Sequence, residues 1–106
     1  MYKSSGPLTG VTEESREVPR EISLKQNYPN PFNPATTIAF SLSKPTPVKL
    51  VVYDVTGKAV ELLIDREMRA GTYHATFGGN GRASGVYYYK LTTKEFSETK
   101  KMLLVR

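Results

Sequence analysis

An all-β fold, a seven-stranded antiparallel sandwich, is what this sequence predicts, and three observations predict it. From Ile22 onward, short runs alternate apolar and polar residues, the period of two that gives a strand one buried face. Turn-forming residues separate these runs at roughly ten-residue intervals, the spacing of small sandwiches. No stretch carries the 3.6-residue apolar stripe of a helix packed on a core.

Residues 1–21 combine Gly6, Pro7 and Pro19 with Ser, Thr and charged residues and almost no apolar periodicity. They read as a flexible linker joining the chain to something upstream, as in the C-terminal piece of a larger protein, which leaves residues 22–106 as the compact domain. Ile22 and Leu24, with Tyr28, form the opening strand. It runs into residues 27–43, NYPNPFNPATTIAFSLS, around which the rest of the chain is organised. There Pro29, Pro31 and Pro34 fix φ and remove three backbone donors, so neither helix nor a central strand is possible. The expectation is a stiff, extended ramp, with Pro29, Asn30, Pro31, Phe32, Asn33 and Pro34 as a structural motif. Pro29, Pro31 and Phe32 are expected to cap the first sheet.

The second strand is 36–43, with Ile38, Phe40 and Leu42 inward, and Pro45 and Pro47 stop it. The third is 48–55. Its core face is Val48, Leu50 and Val52, which carries no charge, and Lys49, Val51 and Tyr53 face out. At 54–58 a tight turn is expected, in which Asp54 accepts backbone hydrogen bonds and Gly57 supplies positive φ. The fourth strand is 59–65. Leu62, Leu63 and Ile64 in succession break its alternation, which points to a bulge or an edge position.

Residues 67–71 read as a polar turn ending in Gly71. The fifth strand, 72–77, has Tyr73, Ala75 and Phe77 on one face and Thr72, His74 and Thr76 on the other. Residues 78–85 form one glycine-rich flexible loop. In the sixth strand, 86–93, Lys90 must stay in water, so Val86 and Tyr88 face out while Tyr87, Tyr89 and Leu91 face in. A buried tyrosine needs a partner for its hydroxyl, and Tyr87 or Tyr89 suits the backbone-bonding tyrosine of immunoglobulin-like sandwiches. The last strand is 96–105, with Phe96, Met102 and Leu104 in the core. The sandwich is therefore expected to be immunoglobulin-like or fibronectin-like.

Composition narrows function mainly by exclusion. With 106 residues and no cysteine, the chain is one domain plus a tail, without disulfides, thiolate metal ligands or a thiol nucleophile. Fifteen basic against ten acidic residues give a net charge of +5. Those charges are spread out, as on a solvated surface, so no nucleic-acid partner is expected. No apolar run approaches the ~20 residues of a membrane span. The first twenty residues lack the pattern of a secretory signal peptide, so an export address, if there is one, lies elsewhere.

No catalytic, cofactor-binding or metal-binding residue is expected. His74, the lone histidine, has no second histidine, cysteine or carboxylate cluster to work with. Asp54, Glu61, Asp65 and Glu67 do not make a dense oxygen-ligand loop. The glycine-rich segment lacks the helix and lysine of a phosphate-binding loop. Tyr53 and Tyr88 are candidates to stack on sugar rings, which keeps open an alternative reading as a carbohydrate-binding or adhesion accessory module of a secreted enzyme.

Five motifs in order carry a resemblance: 28–34 YPNPFNP followed by Thr36-Thr37-Ile38, 52–58 VYDVTGK, 70–73 AGTY, 84–91 SGVYYYKL and 98–104 ETKKMLL. Over residues 24–106 the chain resembles the type A C-terminal sorting domain of the type IX (Por) secretion system. It is also similar to the immunoglobulin-like domain of flagellar hook-capping proteins. The loop after Phe77 departs from the pattern: it is a bare GGNGRASG where relatives often carry an Asp- or Trp-containing stretch.

The resemblance implies a non-catalytic address fused to an N-terminal cargo. Its partners would be the outer-membrane translocon and a sortase-like peptidase that often removes the domain, and its route would run through the periplasm to the cell surface or beyond. The translocon is expected to read the last strand, through Lys100, Lys101, Met102, Leu104 and Arg106, and the adjoining strand, through Gly85, Tyr87, Tyr89 and Leu91. Of these, Lys100, Lys101 and Arg106 are the residues expected to touch a partner. Met102, Leu104, Tyr87 and Tyr89 suit the core.

Overall fold

Period-two alternation becomes eight strands in the computed structural model, which describes residues 11–15 and 18–106, with side chains from Val18 on. They are β1 (Val11–Ser15), β2 (Ser23–Leu24), β3 (Ala35–Leu42), β4 (Thr46–Tyr53), β5 (Ala59–Met68), β6 (Gly71–Gly78), β7 (Gly85–Thr92) and β8 (Ser97–Leu104). Two four-stranded antiparallel sheets form, in the orders β1-β6-β3-β2 and β5-β4-β7-β8. The seven strands expected after residue 22 are all present as β2 to β8. One core cluster joins Ile38, Phe40, Leu42, Tyr73, Ala75 and Phe77 of the first sheet to Val48, Leu50, Val52, Tyr87, Tyr89, Leu91, Met102 and Leu104 of the second. Each such large side chain contributes roughly 1.5–3 kcal/mol by leaving water.

Several boundaries differ from the expected ones. Val11–Ser15 belong to the expected linker, yet they pair with β6 from Val11 opposite Ala75 to Ser15 opposite Thr72; residues 1–10, 16 and 17 lie outside the described set. β4 starts at Thr46 and so includes Pro47. The ladder to β7 begins only at Lys49, so the proline occupies a one-sided stretch where a missing donor is tolerated. β5 continues through Glu67 and Met68, residues expected in a turn, because Met68 is buried opposite Thr46.

The broken alternation at 62–64 has a physical cause. Pairing of β4 with β5 passes from Leu50↔Ile64 to Val51↔Leu62, and from Val52↔Glu61 to Tyr53↔Ala59. Leu63 and Val60 are thereby left as bulged residues, packed against the core. β5 is also an edge strand, where bulges discourage pairing with other chains.

The turn between β4 and β5 forms as its residues demand. Asp54 Oδ1 accepts from the Thr56 hydroxyl at 2.6 Å and from the amides of Thr56 and Lys58 at 2.9 and 3.1 Å. The Thr56 hydroxyl, and then the Lys58 amide, hold the carboxyl below its ordinary range. Gly57 takes φ +89°.

Tyr87 and Tyr89 are both buried and both bonded. The Tyr87 hydroxyl donates to the Ala83 carbonyl at 2.7 Å, four residues upstream, and that of Tyr89 to the Lys25 carbonyl at 2.7 Å. Tyr73 repeats the four-residue pattern, donating to the Arg69 carbonyl at 2.9 Å. Burial pushes the Tyr89 hydroxyl up to about 12 from 10.0. The unfolded chain releases this proton near the lower value and the folded chain near the higher, so between them the folded state binds more protons. Stability therefore falls as pH rises through that window, by up to about 1.4 kcal/mol per pH unit from this group. Urea midpoints across the window should drop more steeply in the wild type than in Tyr89→Phe, which has no phenol to ionise there.

Candidate functional site: a clasp on the last strand

The proline segment is not an extended ramp. Residues 29–31 and 33–34 are bends, and the peptide bonds before Pro29, Pro31 and Pro34 are cis. It runs along the side of the sandwich and bonds to the edges of both sheets. Toward β3, the Lys25 amide donates to the Ala39 carbonyl, and Tyr28 and Thr37 exchange two backbone bonds, all at 2.9 Å. Toward β8, the Gln26 Nε2 donates to the Lys101 carbonyl at 2.8 Å and the Leu103 amide to Asn30 Oδ1 at 3.0 Å. Phe32 completes the contact as a parallel bridge: its amide donates to the Leu103 carbonyl at 2.9 Å, and its carbonyl accepts from the Val105 amide at 3.0 Å.

Much of the outer edge of the second half of β8 is thus covered. The Lys101 carbonyl, the Leu103 amide and carbonyl and the Val105 amide are taken by residues 26–32, which run where a further strand would lie. Unpaired strand edges invite pairing with other chains, and here the chain covers its own.

Side chains anchor the clasp. Phe32, 1 % exposed, packs edge-on to Phe77 with ring centroids 5.9 Å apart. Asn27 is buried and donates to Thr36 Oγ1 at 2.9 Å and to the Pro29 carbonyl at 3.1 Å, while Thr36 Oγ1 donates to the same carbonyl at 2.8 Å. The Gln26 amide reaches Asn27 Oδ1 at 2.7 Å. A buried side-chain amide is tolerated only when bonded in this way.

The glycine-rich loop closes the end of the clasp. Gly78 and Gly85 belong to strands, so the loop is 79–84, and it is tied at several points. The Gly79 amide donates to the Pro34 carbonyl at 2.6 Å. A Cβ on Gly79 would lie 2.8 Å from both methyls of Leu104, so glycine permits the close approach of loop and last strand. Arg82 stacks over the Phe77 ring, 5.3 Å from its centroid, and pairs with Glu61 at 2.8 Å. Arg106 donates its amide to Ser84 Oγ at 3.1 Å and a guanidinium N–H to the Arg82 carbonyl.

The structure divides the sequence-predicted recognition residues. Tyr87, Tyr89, Leu91, Met102 and Leu104 are buried. Gly85, at φ +145°, opens β7 opposite Leu104. Lys100 lies on the same side of β8 as Met102 and pairs with Glu98 at 3.2 Å. Lys101 and Arg106 are exposed, as are Asn30 and Pro31 of the clasp. Sequence reasoning kept the proline motif and the last strand apart, at opposite ends of the chain, and assigned no role in joining them to Gln26, Asn27, Thr36 or Gly79. A polar residue just before a proline run is the one signal that could have found Asn27.

His74 is half-buried on β6, opposite Thr12 and Ala39. Among the described residues no group of three or more His, Cys, Asp or Glu side chains is arranged to hold a metal ion, and no helix is long and apolar enough to cross a membrane.

An immunoglobulin-like sandwich whose last strand is clasped by a proline-rich segment is the class of module these features define. The family model described as a secretion system C-terminal sorting domain matches residues 26–105, from Gln26 of the clasp to Val105 just after β8. The chain belongs to that family, the sorting domains of the type IX secretion system. Membership makes it a C-terminal sorting signal, with secretion to the cell surface or extracellular space as the destination. No curated protein and no solved structure matches it.

Proposed function

We propose that this domain directs a cargo fused upstream across the outer membrane through the type IX translocon. A sortase-like peptidase then removes it as the cargo is attached to the surface. The observation that supports this reading is the clasp. Residues 26–34, 79–84 and 101–106 come together only in the folded domain, so the address is a surface composed from three distant segments. Its readable part is the exposed set Lys101, Arg106, Asn30 and Pro31. The buried residues Met102, Leu104, Tyr87, Tyr89 and Leu91 act indirectly, by holding that surface in shape.

Lys101→Glu and Arg106→Glu, singly and together in a reporter fusion, test this reading. Exposed substitutions of this kind usually change stability by about 0.5 kcal/mol or less, so melting temperature should stay close to wild type. The secreted fraction is expected to fall at least about tenfold in the double variant, the equivalent of about 1.4 kcal/mol of lost recognition. Normal export of a folded double variant would refute readout through these side chains.

A further inference from the structure

Apart from the Lys101 side chain, the outer face of sheet β5-β4-β7-β8 lies outside the clasp and the proposed address. Val52, Tyr89 and Met102 point into the core, so their neighbours Tyr53, Tyr88 and Lys101 point outward. These three form one row, with Tyr53 opposite Tyr88 and Tyr88 opposite Lys101. At a strand spacing of about 4.8 Å the row spans roughly 10 Å. The next row is Leu62, Val51, Lys90 and Thr99, and beyond it lie Asp65, Lys49, Thr92 and Ser97. On the other flank Val86 faces Leu103.

The face joins two kinds of surface. Tyr53 and Tyr88 are half-buried, and beside them Leu62 and Leu103 are 52 % and 38 % exposed. Around them stand Lys49, Lys90 and Lys101, which take part in none of the ion pairs found among the described residues. Asp65, opposite Lys49, is the only carboxylate in these rows.

We propose that this face binds an anionic polysaccharide, with Tyr53 and Tyr88 stacking on sugar rings and Lys90 and Lys101 pairing with the polymer's acidic groups. Sugar rings carry apolar C–H faces that suit the flat, apolar body of a tyrosine whose hydroxyl stays wet. The lysines select among sugars. A neutral glycan leaves three cations unanswered, and a polyanion without rings leaves the tyrosine pair uncovered; an acidic sugar polymer satisfies both. Binding of this kind weakens as salt screens the exposed charges. It does not rest on the sorting reading, because it is read in vitro on the chain alone.

Affinity electrophoresis of the 106-residue chain in gels containing polygalacturonate, dextran or polyglutamate is the test. Retardation is expected in polygalacturonate only. Tyr53→Ala with Tyr88→Ala should lose at least about tenfold in affinity at an unchanged melting temperature. Lys90→Ala with Lys101→Ala provides a second arm that leaves the aromatic pair intact, and it should lose as much. Should the tyrosine variant melt early, the phenylalanine pair, which keeps both rings, is expected to bind as wild type does. Absence of retardation, equal retardation by polyglutamate or dextran, or binding unaffected by either double variant would overturn the proposal.

Discussion

Removing Met102 through Arg106 is expected to unfold the domain, and loss of export is a consequence of that. Met102 and Leu104 are each 1 % exposed, and truncating a side chain so buried typically costs about 2–5 kcal/mol. The deletion takes both. It also takes the Leu103 groups that bind Asn30 and Phe32 and the Val105 amide that binds Phe32, leaving the backbone groups of the buried Phe32 without these partners. Against a total stability of about 5–15 kcal/mol for a small domain, these losses leave little or none. Circular dichroism of the truncated chain should show no cooperative melt near the wild-type temperature. A truncated chain that melts as the wild type does would mean that the clasp is an accessory rather than part of the fold.

Phe32→Ala is the strongest single substitution expected. The ring is buried against Phe77, so its loss should cost about 3–5 kcal/mol, and for a domain of this size each kcal/mol lowers the melting temperature by roughly 4–8 °C. A drop well beyond about 10 °C follows. The effect should also be local: hydrogen exchange at the amides of Phe32, Leu103 and Val105 is expected to accelerate more than at Val52 or Tyr89. Equal melting of Phe32→Ala and wild type would show that Phe32 does not anchor the clasp.

Much of the fold was legible because strand faces are a local property. Val48, Leu50 and Val52, Tyr73, Ala75 and Phe77, and Tyr87, Tyr89 and Leu91 all point where alternation sends them. The Asp54 turn was legible for a similar reason, since a short acceptor side chain followed by a glycine solves the problem within five residues. The extension of β5 was not legible. Glu67 reads as loop, and only the burial of Met68 opposite Thr46 keeps the strand running. β1 was illegible too, because Val11–Ser15 carry little apolar signal and pair through backbone groups that every residue possesses.

The candidate site divides in the same way. By itself the sequence determined which side chains seek the core, where the chain turns, which family the motifs belong to, and that three prolines forbid regular structure from Pro29 to Pro34. Only the tertiary structure decided that this segment folds back onto β8, with Gln26 meeting Lys101, Asn30 meeting Leu103 and Phe32 lying beside Leu104. Those partners lie more than seventy residues apart, and on β8 the groups met are backbone amides and carbonyls, which carry no residue code. Periodicity is written along the chain and can be read there. Which edge a segment covers is settled when the two sheets close on one core and leave the groups of β8 facing outward, where the proline segment supplies their partners.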